Sequence, residues 1–123
     1  MTDVLDAGAF IAADRGDRAT WTRLKAAADD APLTHGGVVG QVWRGGGRHA
    51  RLARFLAGVD VRSLTDELGR ASGVLLGATG TVDVIDAALV MLAADGDVIY
   101  TSDPEDIARL AAERDLHVEV VRV

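Results

Sequence analysis

Four aspartates stand where short apolar runs end or where helices are expected to begin. Asp6 follows one such run and Asp103 follows another, while Asp83 and Asp86 are three residues apart and share one face of a helix. The carboxyl ends of buried parallel strands converge on one crevice, so we expect these carboxylates to gather there. Carboxylates that are gathered in this way repel one another unless a cation holds them. Oxygen ligands of this kind favour Mg²⁺ or Mn²⁺.

Each of these acids also has a purely local explanation. Asp6 is placed to cap the helix that follows it, Asp83 is a good N-cap, and Asp86 suits the first turn of a helix electrostatically. The run from Asp103 to Asp106, with Pro104 at the first helical position, is a strong capping sequence. Their joint placement, rather than any one position, favours the metal site.

The remaining polar residues are less informative. Gln41 is either an ordinary helix residue or the source of one more oxygen ligand. The three histidines lack ligand spacing and have no serine or cysteine partner, so they receive no catalytic role: His35, His49 and His117. Trp21 and Trp43 are interpreted as core or partner contacts. The glycine triplet 45–47 is not a phosphate-binding loop, because no Gly-Lys-Ser/Thr follows it.

The elements that must position these residues alternate along the chain. Apolar runs predict strands at 2–6, 31–35, 59–64, 97–101 and 117–121. Helical patterns are predicted at 7–14, 38–43, 48–56, 65–76, 83–94 and after Asp103. A further helix is predicted from Asp17 onward, with Trp21, Leu24 and Ala28 on one face. Gly36 and Gly37 are predicted to turn the chain, and residues 77–81 to form a loop. Strands that alternate with helices predict a parallel sheet covered by helices.

Composition limits the class of protein. The 123 residues are 49% apolar, contain no cysteine and predict one domain over residues 1–123. Neither a leader sequence nor a membrane-spanning run is expected, so the cytoplasm is the predicted compartment, without a membrane partner. The net charge of −6 argues against nucleic-acid binding through overall charge. Four arginines nevertheless crowd one segment, which is consistent either with a local basic contact surface or with an ordinary solvated helix face paired with nearby acids: Arg44, Arg48, Arg51 and Arg54.

Taken together, these motifs resemble the PIN-domain nucleases, and among them the VapC-type toxins of bacterial toxin–antitoxin modules. The resemblance rests on four segments spread over nearly the whole chain. They are Val4-Leu5-Asp6-Ala7, Val42-Trp43-Arg44-Gly45, Asp83-Val84-Ile85-Asp86-Ala87-Ala88 and Thr101-Ser102-Asp103 with Asp106-Ile107.

The resemblance implies a three-layer α/β/α sandwich with a central, mostly parallel sheet, and RNA cleavage that depends on Mg²⁺ or Mn²⁺. It assigns catalytic roles to Asp6, Asp86 and Asp103, with Asp83 as an additional acid that contributes to the metal site. The second acid of the family, usually Glu, is replaced by Gln41 in this chain. The implied partners are an RNA substrate, a cognate antitoxin and a second copy of the chain in a homodimer. The arginines between residues 44 and 54 are a candidate contact surface for the RNA or for the antitoxin.

Two other functions are consistent with parts of the sequence. Gln41 removes one negative charge, so a catalytically weak or inactive PIN-like binding module is the main alternative. A phosphoacceptor signalling domain has a similar length and an acidic pocket. Such a domain needs a lysine near its last strands, whereas the single lysine of this chain is Lys25.

Overall fold

The computed structural model describes residues 1–26 and 30–123, so Ala28 of the expected helical face lies outside the described residues. Within the described part, five strands alternate with seven α-helices. The strands are β1 (Asp3–Leu5), β2 (Leu33–His35), β3 (Asp60–Arg62), β4 (Val98–Thr101) and β5 (Glu119–Arg122). The helices are α1 (Ala7–Asp14), α2 (Arg18–Ala26), α3 (Gly36–Val42), α4 (Ala50–Leu56), α5 (Asp66–Thr79), α6 (Val84–Leu92) and α7 (Pro104–Glu113).

The strands form one parallel sheet in the order β3-β2-β1-β4-β5. Val4 of β1 lies opposite Leu33 of β2 on one side and Ile99 of β4 on the other. The strand order reverses between β1 and β4, so the main crevice opens at the carboxyl ends of these two strands. Phosphoacceptor domains of the flavodoxin-like type use the order 2-1-3-4-5. The observed order therefore excludes that alternative.

Helices cover both faces of the sheet. Right-handed crossovers place α1 to α4 on one face and α5 to α7 on the other. In agreement, α1 contacts α2, α3 and α4, whereas α5, α6 and α7 contact one another. This arrangement confirms the predicted α/β/α sandwich. No single described helix is both long and apolar enough to cross a membrane; α5 and α6 meet that criterion only as a pair bent by 109°.

The core is built from small and branched aliphatic residues with few aromatics. Val4 and Ile99 are fully buried in the central strands, where they pack with the helices on both sides. The ring of Phe55 packs edge-on against Phe10 and Trp21, with centroid distances of 5.5 and 5.1 Å. Trp21 thus contributes to the packing between helices, whereas Trp43 is 40% exposed.

Two local predictions are wrong. Gly36 and Gly37 begin α3 instead of forming a separate turn, because the His35 side chain accepts a hydrogen bond from the Gly37 N–H and caps the helix. Residues 77–79, predicted as loop, continue α5, which ends at Gly80 with a left-handed φ of 69°. Burial of the opposite side of α5 compensates for the low helix propensity of its glycines.

Other elements differ only in their limits. The helix predicted at 48–56 begins with a single 3-10 turn at Gly47–His49 before α4. The strand predicted at 59–64 is reduced to β3, a partly exposed edge strand. The predicted cap of α2 is confirmed, because Asp17 Oδ1 accepts a hydrogen bond from the Thr20 N–H at 3.0 Å.

Candidate functional site

A polar pocket of about 380 Å³ opens at the carboxyl ends of β1 and β4. Its walls include all four of the aspartates singled out in the sequence together with Gln41. The lining residues are Asp6, Ala7, Gln41, Arg44, Asp83, Asp86, Ser102 and Asp103. Residues 97 positions apart in the chain therefore meet at the crevice that the strand order creates. We call this cavity the acidic pocket.

Asp6 occupies the position between β1 and α1 and is 5% exposed. Its Oδ1 accepts a hydrogen bond from the Ala9 N–H at 3.1 Å and therefore caps α1. Its Oδ2 accepts a second hydrogen bond from the Ser102 N–H at 3.0 Å, at the end of β4. An ionised carboxylate has about four acceptor sites, so two remain for a ligand. Capping and ligand binding are compatible for this residue.

Asp83 and Asp86 lie on the first turn of α6. Asp83 is exposed, and its Oδ1 accepts hydrogen bonds from the N–H groups of Ile85 and Asp86, so it is the predicted N-cap. Asp86 is 8% exposed, and burial is the largest cause that raises its pKa to about 7. Neighbouring carboxylates raise the pKa further, in the order Asp83, Asp6, Asp103 and Asp106. The crowding expected from the sequence is therefore electrostatically significant.

Asp103 stands at the N-cap position of α7, but its side chain makes no capping hydrogen bond. The prediction that it caps this helix is wrong in that respect. Its backbone φ and ψ of −127° and 64° lie outside the usual extended cap conformation, and its own N–H donates to Thr101 Oγ1 at 2.9 Å. Desolvation, followed by a hydrogen bond with Asp106, raises the pKa of Asp103. Its carboxylate is therefore not committed to the helix end.

The donors of the acidic pocket match a hard cation in type, since they are carboxylate oxygens with one amide oxygen nearby. A cation would also relieve the repulsion that raises the pKa of Asp86. In the described part of the chain, however, no three acidic or histidine side chains are spaced to hold a metal ion as they stand. Metal binding at this pocket would therefore draw the carboxylates closer together.

Gln41, on α3, and Arg44, just after that helix, also line the acidic pocket. Gln41 is exposed on the last turn of α3. Arg44 Nη1 donates hydrogen bonds to the carbonyl oxygens of Gly40 and Trp43 at 3.1 and 2.9 Å, so the guanidinium lies at the end of α3. The positively charged guanidinium of Arg44 therefore lines the same pocket as four aspartates. This position is suited to binding a phosphate group.

The remaining arginines of the expected basic surface lie elsewhere. Arg51 and Arg54 line a mainly apolar groove of about 600 Å³ together with Trp21, Leu24 and Phe55. Arg51 Nη1 also donates a hydrogen bond to the Asp14 carbonyl at 2.8 Å. Arg48 is exposed on the 3-10 turn. Arg44 therefore lines the acidic pocket, Arg51 and Arg54 line a second surface, which we call the α2–α4 groove, and Arg48 lines neither.

Three residues near the acidic pocket were assigned no functional role from the sequence: Ser102, Gly8 and His35. Ser102 holds the Asp6 carboxylate through its N–H. A Cβ at Gly8 would lie 2.9 Å from the Ser102 Cβ, so only glycine fits there without movement. His35 is fully buried, and burial lowers its pKa. Ser102 could have been identified from the sequence, because it directly follows the apolar run at 98–101. No local pattern indicated a role for Gly8 or His35.

Comparison with known proteins supports the fold. Neither a protein-family sequence model nor a curated protein sequence matches this chain. A chain in the crystal structure of VapBC2 from Rickettsia felis, bound to a DNA fragment from its promoter, superimposes with a TM-score of 0.71. The fold is PIN-like. The match covers 98% of each chain at 14% sequence identity, so the two proteins share their architecture over the full length while most residues differ.

Proposed function

We propose that this chain is a divalent-metal-dependent endoribonuclease and the toxin of a type II toxin–antitoxin module. The observation that carries the proposal is the convergence of Asp6, Asp86 and Asp103 on the crevice between β1 and β4. The likeness to VapBC2, a toxin–antitoxin complex, supports the same class of activity. The pocket contains no cysteine and requires no side-chain nucleophile.

In this proposal, Asp6, Asp86 and Asp103 hold Mg²⁺ or Mn²⁺, with Asp83 at the rim and Gln41 supplying a neutral oxygen. Bound metal lowers the pKa of a water molecule and neutralises charge on the phosphodiester. The chain itself contributes the position of the carboxylates, since the N–H groups of Ala9 and Ser102 orient Asp6. Arg44 offers its guanidinium to a phosphate oxygen of the RNA.

The antitoxin is proposed to bind at the α2–α4 groove. The groove combines an apolar floor that includes Leu24 and Phe55 with two guanidinium groups, from Arg51 and Arg54. An apolar helix with acidic residues along one edge would match both features. The same proposal includes a cytoplasmic location, because the RNA substrate is in the cytoplasm. It also includes the homodimer that was expected from the sequence.

A second candidate function is a PIN-like module that binds RNA or a partner without cleaving. Gln41 favours it, because a neutral amide stands on the wall of the acidic pocket where resemblance places Glu. One negative charge fewer lowers the attraction for a divalent cation. The fold and the α2–α4 groove are the same in both proposals, so only catalysis separates them.

The decisive experiment is cleavage of a single-stranded RNA by the purified chain with Mg²⁺, with Mn²⁺ and with excess EDTA. Cleavage that requires metal and is lost in Asp103→Asn supports the nuclease. Asp95→Asn is the matched control, because Asp95 is an exposed aspartate far from the acidic pocket. RNA binding without cleavage under all three conditions would favour the binding module instead.

A further inference from the structure

His35 joins three elements beneath the acidic pocket. It is the last residue of β2 and is fully buried. Its Nδ1 accepts a hydrogen bond from the Gly37 N–H in the first turn of α3, at 3.1 Å. Its Nε2 lies 2.9 Å from the carbonyl oxygen of Ile85 in the first turn of α6. Because Nδ1 is the acceptor, the proton is on Nε2, which donates to Ile85.

The Ile85 side chain of α6 also reaches the first turn of α3 at this point. A Cβ at Gly37 would lie 2.5 Å from Ile85 Cδ1 and 2.9 Å from His35 Cε1. Any larger residue at position 37 would therefore have to displace the Ile85 side chain and the histidine ring. Glycine permits the contact and the histidine bonds hold it, so two independent features fix the same junction.

This junction lies under both walls of the acidic pocket. Gln41 is four residues beyond Gly37 on α3, and Asp86 directly follows Ile85 on α6. Both side chains line the pocket, whereas His35 does not. The distance between the two walls therefore depends on how the first turns of the two helices are joined.

We propose that His35 is a positioning residue that sets the separation of Gln41 and Asp86 across the acidic pocket. The proposal rests on the proposed function insofar as that separation determines metal binding. The ring acts through α6 and touches no ligand itself. Partners that orient ligating groups in this way typically contribute 10–100-fold to metal affinity.

Two amide substitutions test the hydrogen bonds of the two His35 ring nitrogens separately. His35→Asn retains an acceptor near the position of Nδ1 and loses the donor to Ile85. His35→Gln retains a donor near the position of Nε2 and loses the cap of α3. We expect Mn²⁺ affinity, measured by calorimetry, to fall about tenfold in His35→Asn and to stay within about twofold in His35→Gln. Equal affinities in the two variants would overturn the proposal.

NMR provides a readout that does not depend on metal binding or cleavage. The backbone amide signal of Asp86 should move in His35→Asn and stay near its original position in His35→Gln. If the unsubstituted chain binds no Mn²⁺, the proposed function fails, and the amide signals alone then decide the role of His35. An unmoved Asp86 signal in His35→Asn would overturn that role.

Gly37→Ala tests the junction without altering the histidine. We expect it to weaken Mn²⁺ binding and to move the Asp86 amide signal, because the new Cβ would lie 2.5 Å from Ile85 Cδ1 and 2.9 Å from His35 Cε1, so that both side chains must shift. Gly40→Ala is the matched control in the same helix, since a Cβ there meets nothing within 4 Å. Identical behaviour of the two alanine variants would contradict the proposed junction, even if the His35 variants fail to fold.

Discussion

Asp6 and Ser102 are joined across the mouth of the crevice by a hydrogen bond of 3.0 Å from the Ser102 N–H to Asp6 Oδ2. This bond ties the end of β1 to the end of β4, the two strands between which the sheet order reverses. It also fixes the orientation of the most buried carboxylate of the acidic pocket. The geometry of the proposed site therefore depends on how closely these two strand ends approach.

Gly8→Ala should disturb this approach. The new Cβ would lie 2.9 Å from Ser102 Cβ and 3.1 Å from Asp6 Oδ1, and neither group is the end of a long flexible side chain. We expect a loss of about 1–3 kcal/mol in the free energy of unfolding and a marked loss of RNA cleavage. Urea denaturation measures the first effect, and a cleavage assay the second.

Gly77→Ala is the control for that substitution. Gly77 lies in the interior of α5, and a Cβ there meets nothing within 4 Å. Alanine should raise the free energy of unfolding by about 0.5–1 kcal/mol through helix propensity. A Gly8→Ala variant as stable and active as the original chain would show that the strand ends tolerate a wider separation.

Substitution of the carboxylates should separate catalysis from folding. Asp6→Asn should abolish cleavage, but it also forces one of the two N–H partners of Asp6 to face an amide NH₂ group, so stability should fall. Asp103→Asn should abolish cleavage at little cost in stability, because its side chain caps no helix. Thermal unfolding together with RNA cleavage measures the contrast. Residual cleavage in both variants would remove these residues from the catalytic site.

Gln41→Glu should tighten Mn²⁺ binding and preserve or raise cleavage. The substitution restores a negative charge in the pocket that Asp83 and Asp86 also line, where the cation is proposed to bind. Calorimetric titration with Mn²⁺ measures the change directly. Unchanged affinity would mean that Gln41 is not near the metal, and the alternative of a non-catalytic module would lose its main argument.

Asp86→Asn should stabilise the fold at neutral and alkaline pH. The pKa of Asp86 is raised to about 7 in the folded chain, above its usual value of 3.8, so its protonated form stabilises the fold at low pH. That contribution is lost as the pH rises from about 4 through about 7, and above this range the ionised group destabilises the chain. We expect the variant to gain on the order of 2 kcal/mol at pH 8.

The difference in the free energy of unfolding between Asp86→Asn and the unsubstituted chain should depend on pH. The gain from Asp86→Asn should shrink as the pH is lowered from 8 towards 4, because the carboxyl becomes neutral in the folded chain. Urea denaturation of both proteins at several pH values measures this difference. A gain that is constant with pH would show that burial and the neighbouring carboxylates do not raise the pKa of Asp86 in the folded chain.

Removal of two arginines from the α2–α4 groove should weaken partner binding without affecting RNA cleavage. The double variant Arg51→Ala, Arg54→Ala leaves the acidic pocket intact, because neither residue lines it. Loss of the Arg51 bond to the Asp14 carbonyl should cost only about 0.5–1.5 kcal/mol. Affinity for the proposed antitoxin, measured at several salt concentrations, should fall and depend less on salt.

Arg109→Ala is a suitable control, since Arg109 is exposed on α7, on the opposite face of the sheet. It should leave partner binding unchanged. If the double variant instead weakens only RNA binding, the groove is part of the RNA surface and the antitoxin binds elsewhere. Arg48→Ala, on the exposed 3-10 turn, extends the same test to the third arginine of this segment.

The sequence by itself determined the class of fold and the candidates for the site. Apolar runs that alternate with helical patterns require a parallel sheet, and the positions of Asp6 and Asp103 after two of these runs place both at the same edge. Capping of α6 by Asp83 was also predictable, because a cap depends on residues two or three positions away. Interactions of this range are visible in any short segment.

The tertiary structure decided what depends on contacts between distant segments. Strand order puts β1 beside β4 and so brings Asp6 to Asp103, whereas a different order of the same strands would have separated them. The separation of Arg44 from Arg51 and the burial of His35 between two helices likewise follow from packing. Local pattern indicates which segments tend to be helical or extended and which side of each segment is apolar. The partners of a buried group are chosen by the packing of the whole chain, because close-packed interiors allow few arrangements of neighbouring elements.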